Sequence, residues 1–292
     1  MRRELVLVAL IAIVQAGCDD LPGRLAFSHR GDIWKARPDG SGLRRLTRTR
    51  GPEEDPAWSP NGRRIAYRDS RRGFNLNDEI YVMNADGSRR RNLTRSPLTN
   101  DWGPVWSPDG GLIAFNSATR LEVIRPDGSR RRRVTGVEAE YPAWSPDGRR
   151  LAFMSMQPHA TGGDPNYDVF VVDLDGTGLT RLTDWPGEDG WPAWSPDGRA
   201  IAYTTSEDSE GQFEGGGPYL DVHVMRPDGG GNHRVVNRIW GAYPDWSPDG
   251  RLIVFTGSRL SGRREGLWVV RPDGSGQRPL HVAGALPDWT DN

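Results

Sequence analysis

Cysteine is almost absent from this sequence of 292 residues, in which Cys18 is the only one. A single cysteine cannot form an intramolecular disulfide, so the fold must depend on the burial of apolar side chains. An excess of one charge is also missing, because the formal net charge is −1. A net charge so close to zero argues against a general nucleic-acid binder, and we expect no nucleic-acid partner.

Long apolar runs are absent except at the N-terminus, where residues 5–14 form one. This run is too short for a transmembrane helix, which needs about 20 residues. It follows two arginines and precedes two small residues and Cys18, an order that resembles a bacterial lipoprotein signal. We predict a signal peptide at 1–17, lipidation of Cys18 and a short tether at 18–23. The protein is then lipid-anchored on the periplasmic side of the cell envelope, in the inner or the outer membrane. Plain secretion and an uncleaved anchor are the alternatives.

The apolar periodicity of about 3.6 residues that marks amphipathic helices is also missing, which excludes a solenoid of helix pairs. What the sequence contains instead is a motif that reads Trp-Ser-Pro-Asp-Gly or a close variant. Five copies begin at Trp58, Trp106, Trp144, Trp194 and Trp246, and a sixth, clipped copy that reads Trp-Thr-Asp begins at Trp289. A period of roughly 40–50 residues that contains several short strands is typical of a β-propeller.

Each repeat divides into four strands. The first contains the tryptophan, has a proline at its start and ends in the Ser-Pro-Asp-Gly turn, where Pro restricts φ and Gly supplies a positive φ. The second is apolar on both faces, as in IAF at 113–115, which indicates burial between two neighbouring blades. The third ends in another Asp-Gly turn, and the fourth is rich in arginine. We interpret the tryptophans as packing bodies between blades.

The arginines of the fourth strands, as at 89–91 and 130–133, have two interpretations. Charge on an outer strand prevents the addition of further strands, so they protect a sheet edge. Contact with anionic material of the envelope is the alternative.

The sequence contains six first strands and six sets of second to fourth strands, but it begins with a set and ends with a first strand. Residues 24–47 supply a set that no first strand precedes, and residues 286–292 supply a first strand that no set follows. The two must share a blade. We therefore predict an all-β fold over residues 24–292, a six-bladed β-propeller of four-stranded blades. It is closed by pairing of the C-terminal strand with the N-terminal blade, which leaves no open sheet edge between the ends.

The repeated WSPDG motif, the apolar triplet after it and stretches such as IYVMNADGS at 80–88 resemble the TolB-type propeller repeat, also called the WD40-like or PD40 repeat. The resemblance covers residues 24–292. It implies a propeller of the cell envelope, because TolB is a periplasmic protein that works with the Tol–Pal system. TolB has an α/β domain before its propeller, which we expect this chain to lack.

The repeats also resemble the propellers of certain serine peptidases, but the Gly-x-Ser-x-Gly motif of their hydrolase domain does not occur in this sequence.

A binding site is predicted where the chain enters the first strands, which the resemblance places at one mouth of the central channel. The predicted site residues are Glu54, Asp55, Asp101, Trp102, Glu140, Tyr141, Asp189, Trp191 and Tyr243. Aromatic faces beside carboxylates suit a cationic side chain, a peptide terminus or a sugar ring. Long loops at 68–79, 154–167, 206–219 and 258–266 are expected on the same face. The alternative is that the aromatic residues pack between blades and the acids are merely solvated.

Signals of catalysis are sparse, because none of the five histidines is paired at a metal-ligand spacing. We predict no catalytic residue, no metal and no cofactor. We interpret the protein as a monomeric, non-enzymatic binding or scaffold lipoprotein, whose channel mouth engages an envelope protein or a peptidoglycan-associated partner. A lyase or hydrolase that acts on a saccharide in the same mouth is the alternative. A structural spacer, with a mouth blocked by packed side chains, is a third interpretation.

Overall fold

The structure is a computed structural model, and it is built of β-strands and turns. It describes residues 24–37, 40–49, 51–70, 78–158, 165–185, 187–206, 220–239, 243–257, 266–280 and 285–290. The predicted signal peptide, Cys18 and the predicted tether lie outside these residues. In the part of the chain that is described, no helix is long and apolar enough to cross a membrane.

The strands form six antiparallel sheets of four strands, which are the six predicted blades. Blade one contains β1 (Arg24–His29), β2 (Asp32–Ala36), β3 (Arg44–Arg45) and the last strand, β24 (Ala285–Thr290). Blade two contains β4 (Glu53–Trp58), β5 (Arg64–Asp69), β6 (Glu79–Asn84) and β7 (Arg91–Asn92). Blade three contains β8 (Asp101–Trp106), β9 (Ile113–Ser117), β10 (Arg120–Ile124) and β11 (Arg132–Arg133).

The remaining blades repeat this order. Blade four contains β12 (Glu140–Trp144), β13 (Arg150–Gln157), β14 (Asn166–Asp173) and β15 (Thr180–Arg181). Blade five contains β16 (Asp189–Trp194), β17 (Ile201–Thr205), β18 (Leu220–Met225) and β19 (His233–Ile239). Blade six contains β20 (Asp245–Trp246), β21 (Ile253–Gly257), β22 (Gly266–Val270) and β23 (Arg278–Pro279).

The ring closes as the sequence predicts. The C-terminal strand β24 pairs antiparallel with β1, and Leu25 lies opposite Trp289 in the register. Blade one therefore takes its first strand from the end of the chain and its other three from the beginning. This pairing satisfies the backbone groups of both strands and leaves no edge between the two ends.

The Ser-Pro-Asp-Gly turns are held by a small hydrogen-bond network, shown here for blade three. The Ser107 hydroxyl donates to Asp109 Oδ1 at 2.6 Å and accepts from the Leu112 amide at 2.8 Å. The Gly110 amide donates to the Ser107 carbonyl at 2.8 Å, and Gly110 has a φ of +68°, which an L side chain rarely adopts. The predicted positive φ of the turn glycine is confirmed.

The repeat tryptophans join neighbouring blades, as predicted. The Trp106 indole N–H donates to the carbonyl of Ala57 in the preceding blade at 3.2 Å. Trp246 makes the same contact with the Ala193 carbonyl at 3.1 Å. Both rings are buried, and Trp106 packs with Ile113 of the central strand of its own blade. Each of these two indoles therefore contributes apolar area and an inter-blade hydrogen bond at once.

The first strands differ from the prediction in where their proline lies. In β4 the strand begins three residues before Pro56, and the register with β5 shifts between Glu54 and Ala57. This shift is a β-bulge, where a residue without an N–H is tolerated inside a strand. In blades two to five the proline thus marks the bulge rather than the start of the strand, whereas Pro244 of blade six lies directly before β20.

Candidate functional site

In blades two to five the bulges of the first strands turn one residue per blade toward the propeller axis, and Tyr243 has the same position before Pro244 in blade six. We call the residue directly before each first-strand proline the axial residue. In blades two to six the axial residues are Asp55, Gly103, Tyr141, Trp191 and Tyr243. All five have a φ between +49° and +61°. This left-handed conformation costs an L residue about 1–2 kcal/mol, so tertiary packing must hold four of them in it.

The axial aromatic rings meet one another. Together with Trp102 they form what we call the aromatic cluster, made of Trp102, Tyr141, Trp191 and Tyr243. The ring centroids of Trp102 and Tyr141 are 4.8 Å apart, and those of Trp191 and Tyr243 are 5.2 Å apart. The Tyr141 ring also lies 5.6 Å from the Trp191 ring and 6.3 Å from the Tyr243 ring. Such distances are those of interacting aromatic pairs.

The aromatic cluster crosses the channel, because Tyr141 and Tyr243 belong to blades two positions apart and meet at the axis. The interpretation of the protein as a structural spacer predicts a mouth blocked by packed side chains. At this level of the channel the aromatic cluster forms such a packed mouth. All four rings nevertheless remain partly exposed. Burial raises the pKa of both tyrosines above the ordinary value, with nearby Asp55 adding to the effect. Their hydroxyls are therefore protonated at neutral pH and can donate hydrogen bonds.

An ion-pair group lies beside the aromatic cluster and is centred on Arg68, which the sequence reasoning missed. The Arg68 guanidinium contacts Asp55 Oδ2 at 3.2 Å and Asp78 Oδ2 at 3.4 Å, and it also pairs with Glu54. Burial lowers the pKa of Arg68, but its three carboxylate neighbours produce a net increase. Three acids around one cation leave this part of the mouth with an excess of negative charge.

Asp55 and Glu54 are the predicted acids of this group, and they differ in exposure. Only 13% of the Asp55 side chain is exposed, against 38% for Glu54. Burial raises the pKa of Asp55, although Arg68 opposes this effect. Asp55 Oδ2 also accepts a hydrogen bond from the Gly103 amide at 3.3 Å, which links the axial residues of two neighbouring blades.

Glu140 is the predicted acid of blade four, and it is half-buried beside Tyr167. The Tyr167 hydroxyl donates to Glu140 Oε1 at 3.3 Å. Burial raises the pKa of Glu140, and this hydrogen bond partly opposes the increase. Glu140 directly precedes the axial Tyr141 along the chain, so it belongs to the rim of the mouth.

Asp101 and Asp189 do not lie at the mouth. Each begins its first strand and is fully buried. Asp101 pairs with Arg131, whose guanidinium also contacts Glu122 at 2.5 Å. The equivalent acid of blade two, Glu53, is buried as well. These acids are buried in the propeller, so two of the nine predicted site residues are not exposed at the mouth.

The arginines that approach the buried acids carry a signal that the sequence reasoning did not use. Arg90 and Arg131 each end an Asp-Gly-Ser-Arg-Arg stretch and approach Glu53 and Asp101 respectively. The Arg132 guanidinium donates to the Leu174 carbonyl of the next blade at 3.1 Å. These arginines therefore pair with buried acids and join blades, which goes beyond the protection of a sheet edge.

Several predicted features of this face are outside the described residues. Residues 71–77, 159–164, 207–219 and 258–265, which make up most of the four long loops, lie outside the description. Within the described residues, no group of three or more His, Cys, Asp or Glu side chains is arranged to hold a metal ion.

Comparison with known proteins agrees with the geometry of the propeller. The family described as the TolB β-propeller domain, PD40, matches residues 120–259. A TolB homologue of Chlorobium luteolum is 35% identical over 255 residues, which is 85% of this chain and 54% of that protein. A Tol–Pal system protein TolB of Thioalkalivibrio sulfidiphilus is 43% identical over 58 residues, which is 20% of this chain and 13% of that protein. The chain thus spans about half the length of the first of these relatives.

A solved structure shows the same fold. The crystal structure of TolB from Acinetobacter baumannii superimposes with a TM-score of 0.74 at 22% identity, over 92% of this chain and 66% of the other. The repeat motif, the six closed blades and the family match agree with one another. This chain carries a β-propeller of the TolB type, with the PD40 family match over residues 120–259.

Proposed function

We propose that the protein is a non-enzymatic binding module of the cell envelope that engages a protein or peptidoglycan-associated partner through its channel mouth. The observation that carries this proposal is the aromatic cluster, in which four partly exposed rings from four blades meet within 4.8–6.3 Å. Clustered Trp and Tyr side chains near the centre of a rigid surface are typical of the residues that dominate binding energy in protein interfaces.

The acids around the aromatic cluster favour a partner segment that carries positive charge. Glu54 and Glu140 lie on the rim, and Arg68 is already shared among three carboxylates. A basic side chain that reaches this rim would find a carboxylate and an aromatic face together, which stabilises a cation on both sides. The rigid propeller reduces the ordering cost of binding, since the rings are already held in place.

The relatives support the same kind of role, because the name of one places it in the Tol–Pal system. By analogy we propose that this chain acts as a monomer in the cell envelope, on the periplasmic side, anchored by a lipid on Cys18. We propose no nucleic-acid partner and no cofactor.

The proposal is tested with the full-length chain as bait against detergent-solubilised envelope proteins, followed by binding measurements on the purified candidate. The site variant combines Trp102→Ala, Trp191→Gly and Tyr243→Gly. Glycine is chosen at the two axial positions because Gly103 already occupies the equivalent position with a φ of +61°. We expect the Kd of the purified partner to rise at least about tenfold, which corresponds to about 1.4 kcal/mol.

The matched control is Trp185→Ala, because Trp185 is 44% exposed and belongs to neither the aromatic cluster nor the ion-pair group of Arg68. This variant should bind the partner as the original protein does. All variants are first compared by thermal unfolding. A partner that binds the site variant and the original equally well would place its binding elsewhere and contradict the proposal.

A further inference from the structure

A pocket of about 340 Å³ lies in the groove between blades four and five. Blade four contributes the end of its fourth strand and the segment after it, and blade five contributes the end of β18 and its Asp-Gly turn. The lining residues are Arg181, Leu182, Thr183, Asp184, Trp185, Met225, Gly229 and Asn232. None of them belongs to the aromatic cluster or to the predicted site at the mouth. The volume is that of a small-ligand site, for which about 300–1,000 Å³ is usual.

Asn232 of this pocket occupies a position where two other blades have an arginine. It is the fourth residue after the aspartate of its Asp-Gly turn, as Arg90 and Arg131 are in blades two and three. The residue before each of the three has a left-handed backbone, with φ between +53° and +67°. The backbone therefore follows the same course at these turns, and the three side chains leave it at equivalent points.

The groove that receives Arg90, between blades one and two, is equivalent to the pocket. The Arg90 guanidinium donates to the Leu46 carbonyl at 3.0 Å, and Leu182 has the same place directly after the fourth strand of blade four. A Cβ added to Gly87, in the turn of blade two, would lie 2.6 Å from the Leu46 oxygen. One added to Gly229 would lie 2.9 Å from the Leu182 oxygen. The carbonyl that accepts from an arginine in one groove therefore lies at the wall of the pocket in the other.

Arg131 makes a second contact of this kind, between blades two and three. Its guanidinium donates to the Ser96 hydroxyl at 2.5 Å. Trp185 has the place of Ser96, since both are the fourth residue after the fourth strand of their blade. The shorter side chain of Asn232 instead contacts His223 of its own blade, with Oδ1 at 3.2 Å from Nδ1. The space that a guanidinium occupies beside blade three is thus open beside blade five, with an indole in its wall.

The charge of the pocket favours a cation, although an arginine lines it. Arg181 pairs with Asp168, and with Asp184 at 3.2 Å, so these three groups together leave one negative charge in excess. An indole such as that of Trp185 stacks well on the planar guanidinium group. Met225 is buried and offers an apolar surface to an alkyl stem.

We propose that the inter-blade pocket binds an alkylguanidinium group, in the place that an arginine of the chain itself takes beside blades two and three. Two sources share this chemistry, a free alkylguanidine and the arginine side chain of a peptide. The site goes beyond the proposed function, because no residue of the mouth lines it. Its ligand therefore binds whether or not a partner uses the mouth.

The test uses titration calorimetry on the full-length chain. The probes are N-propylguanidinium chloride and the blocked peptide Gly-Arg-Gly. Their neutral counterparts, N-propylurea and the same peptide with citrulline in place of arginine, have nearly the same shape but no charge. We expect at least one cationic probe to bind at least about tenfold more tightly than its neutral counterpart. Which cationic probe binds more tightly identifies the source.

Two variants locate the binding. Asn232→Arg restores the arginine of blades two and three, fills the pocket with a guanidinium of the chain and should weaken binding of the cationic probe at least about tenfold. Its control is Gln277→Arg, which adds the same charge at the equivalent position of blade six and should leave binding unchanged. Trp185→Ala removes the indole and should weaken binding about two- to fivefold, as expected for the loss of a cation–π contact.

Three results would each overturn the proposal. These are no binding of either cationic probe at millimolar concentration, equal binding of the charged and neutral probes, and equal binding by the original protein and a folded Asn232→Arg variant. The comparison of charged and neutral probes needs no variant, so the test stands even if a substitution impairs folding. The triple variant of the mouth should bind the cationic probe as the original protein does, so failure of the proposed function and failure of this proposal are distinguishable.

Discussion

The ring of Tyr141 lies 6.3 Å from the ring of Tyr243, although blade five separates the two residues around the propeller. This pair connects blades four and six across the axis, a contact between blades that are not neighbours in the ring. Both residues have left-handed backbones, with φ of +50° and +49°. The strained conformation is therefore what brings the two side chains together.

We expect Tyr141 and Tyr243 to be energetically coupled. In a double-mutant cycle with Tyr141→Leu and Tyr243→Leu, the coupling should be about 0.5–1.5 kcal/mol, the range found for aromatic pairs. Denaturant unfolding of the four proteins measures it. The control cycle pairs Tyr141→Leu with Trp185→Leu, which should be additive within about 0.5 kcal/mol. Additivity in both cycles would mean that the rings are close without stabilising each other.

Replacement of Trp106 by phenylalanine should destabilise the propeller by about 2–3 kcal/mol. The substitution removes the hydrogen bond to the Ala57 carbonyl, leaves this buried carbonyl without the indole donor and creates a small cavity between blades. The change is measured by denaturant unfolding. Trp185→Phe serves as the control and should change the stability by less than about 0.5 kcal/mol, because its ring is 44% exposed. A loss of the same size in both variants would contradict the inter-blade role.

The backbone of the axial residues is expected to be strained for any L side chain. In Gly103→Ala the new Cβ meets no heavy atom closer than Asn116 Oδ1 at 3.5 Å, so space is available. We expect a loss of about 1–2 kcal/mol from the backbone alone, because φ is +61°. Gly136→Ala is the matched control, since its Cβ meets nothing within 4 Å and its φ is not positive. That variant should be neutral or stabilise by about 0.4–1 kcal/mol.

Glu53→Gln should become more stable relative to the original protein as pH rises. Burial raises the pKa of Glu53 in the folded state, although Thr49 donates a hydrogen bond to it and Arg90 is near. Below the ordinary glutamate pKa of about 4.3 the carboxyl is protonated in both states and contributes equally to the stability. From there up to the raised folded pKa, ionisation increasingly favours the unfolded state. The difference is measured from unfolding curves of the two proteins between about pH 3 and pH 7, a range that includes the ordinary glutamate pKa.

Asp109→Asn provides a control of opposite sign. Hydrogen bonds from Ser107 and the Gly111 amide lower the pKa of Asp109. This carboxylate therefore stabilises the fold above the ordinary aspartate pKa of about 3.9, and the contribution is lost as pH falls through the lowered folded pKa. The variant should thus lose stability at neutral pH and show no deficit in acid. Asn61 already occupies the same turn position in blade two, so asparagine fits there. Parallel pH profiles for both variants would contradict these assignments.

The architecture could be predicted from the sequence because its signals are local and repeated. A Ser-Pro-Asp-Gly turn and an apolar triplet of the second strand depend on neighbouring residues, and the turn was predicted in blades two to six. Closure by β24 was predictable too, because the first strand missing before residue 24 reappears at residues 286–292. Counting alone leads to the pairing of the two ends.

The site was only partly predictable from the sequence. Residues 53–55 read as three equivalent acids, yet Glu53 is buried, Glu54 is on the rim and Asp55 faces the axis. Their separation depends on the bulge after Glu54, which changes the direction of consecutive side chains. No local pattern that we used predicts a bulge at a proline inside a strand.

The sequence by itself determined the number of blades, their order and the ring closure, because each follows from turn chemistry and apolar patterning along the chain. The tertiary structure decided which side chains meet on the axis. Tyr141 and Tyr243 are about a hundred residues apart in sequence and come together only when the blades are arranged in a ring. The same arrangement brings Trp191 of blade five against both tyrosines. Such contacts depend on the curvature of the closed ring, a property that no single repeat contains.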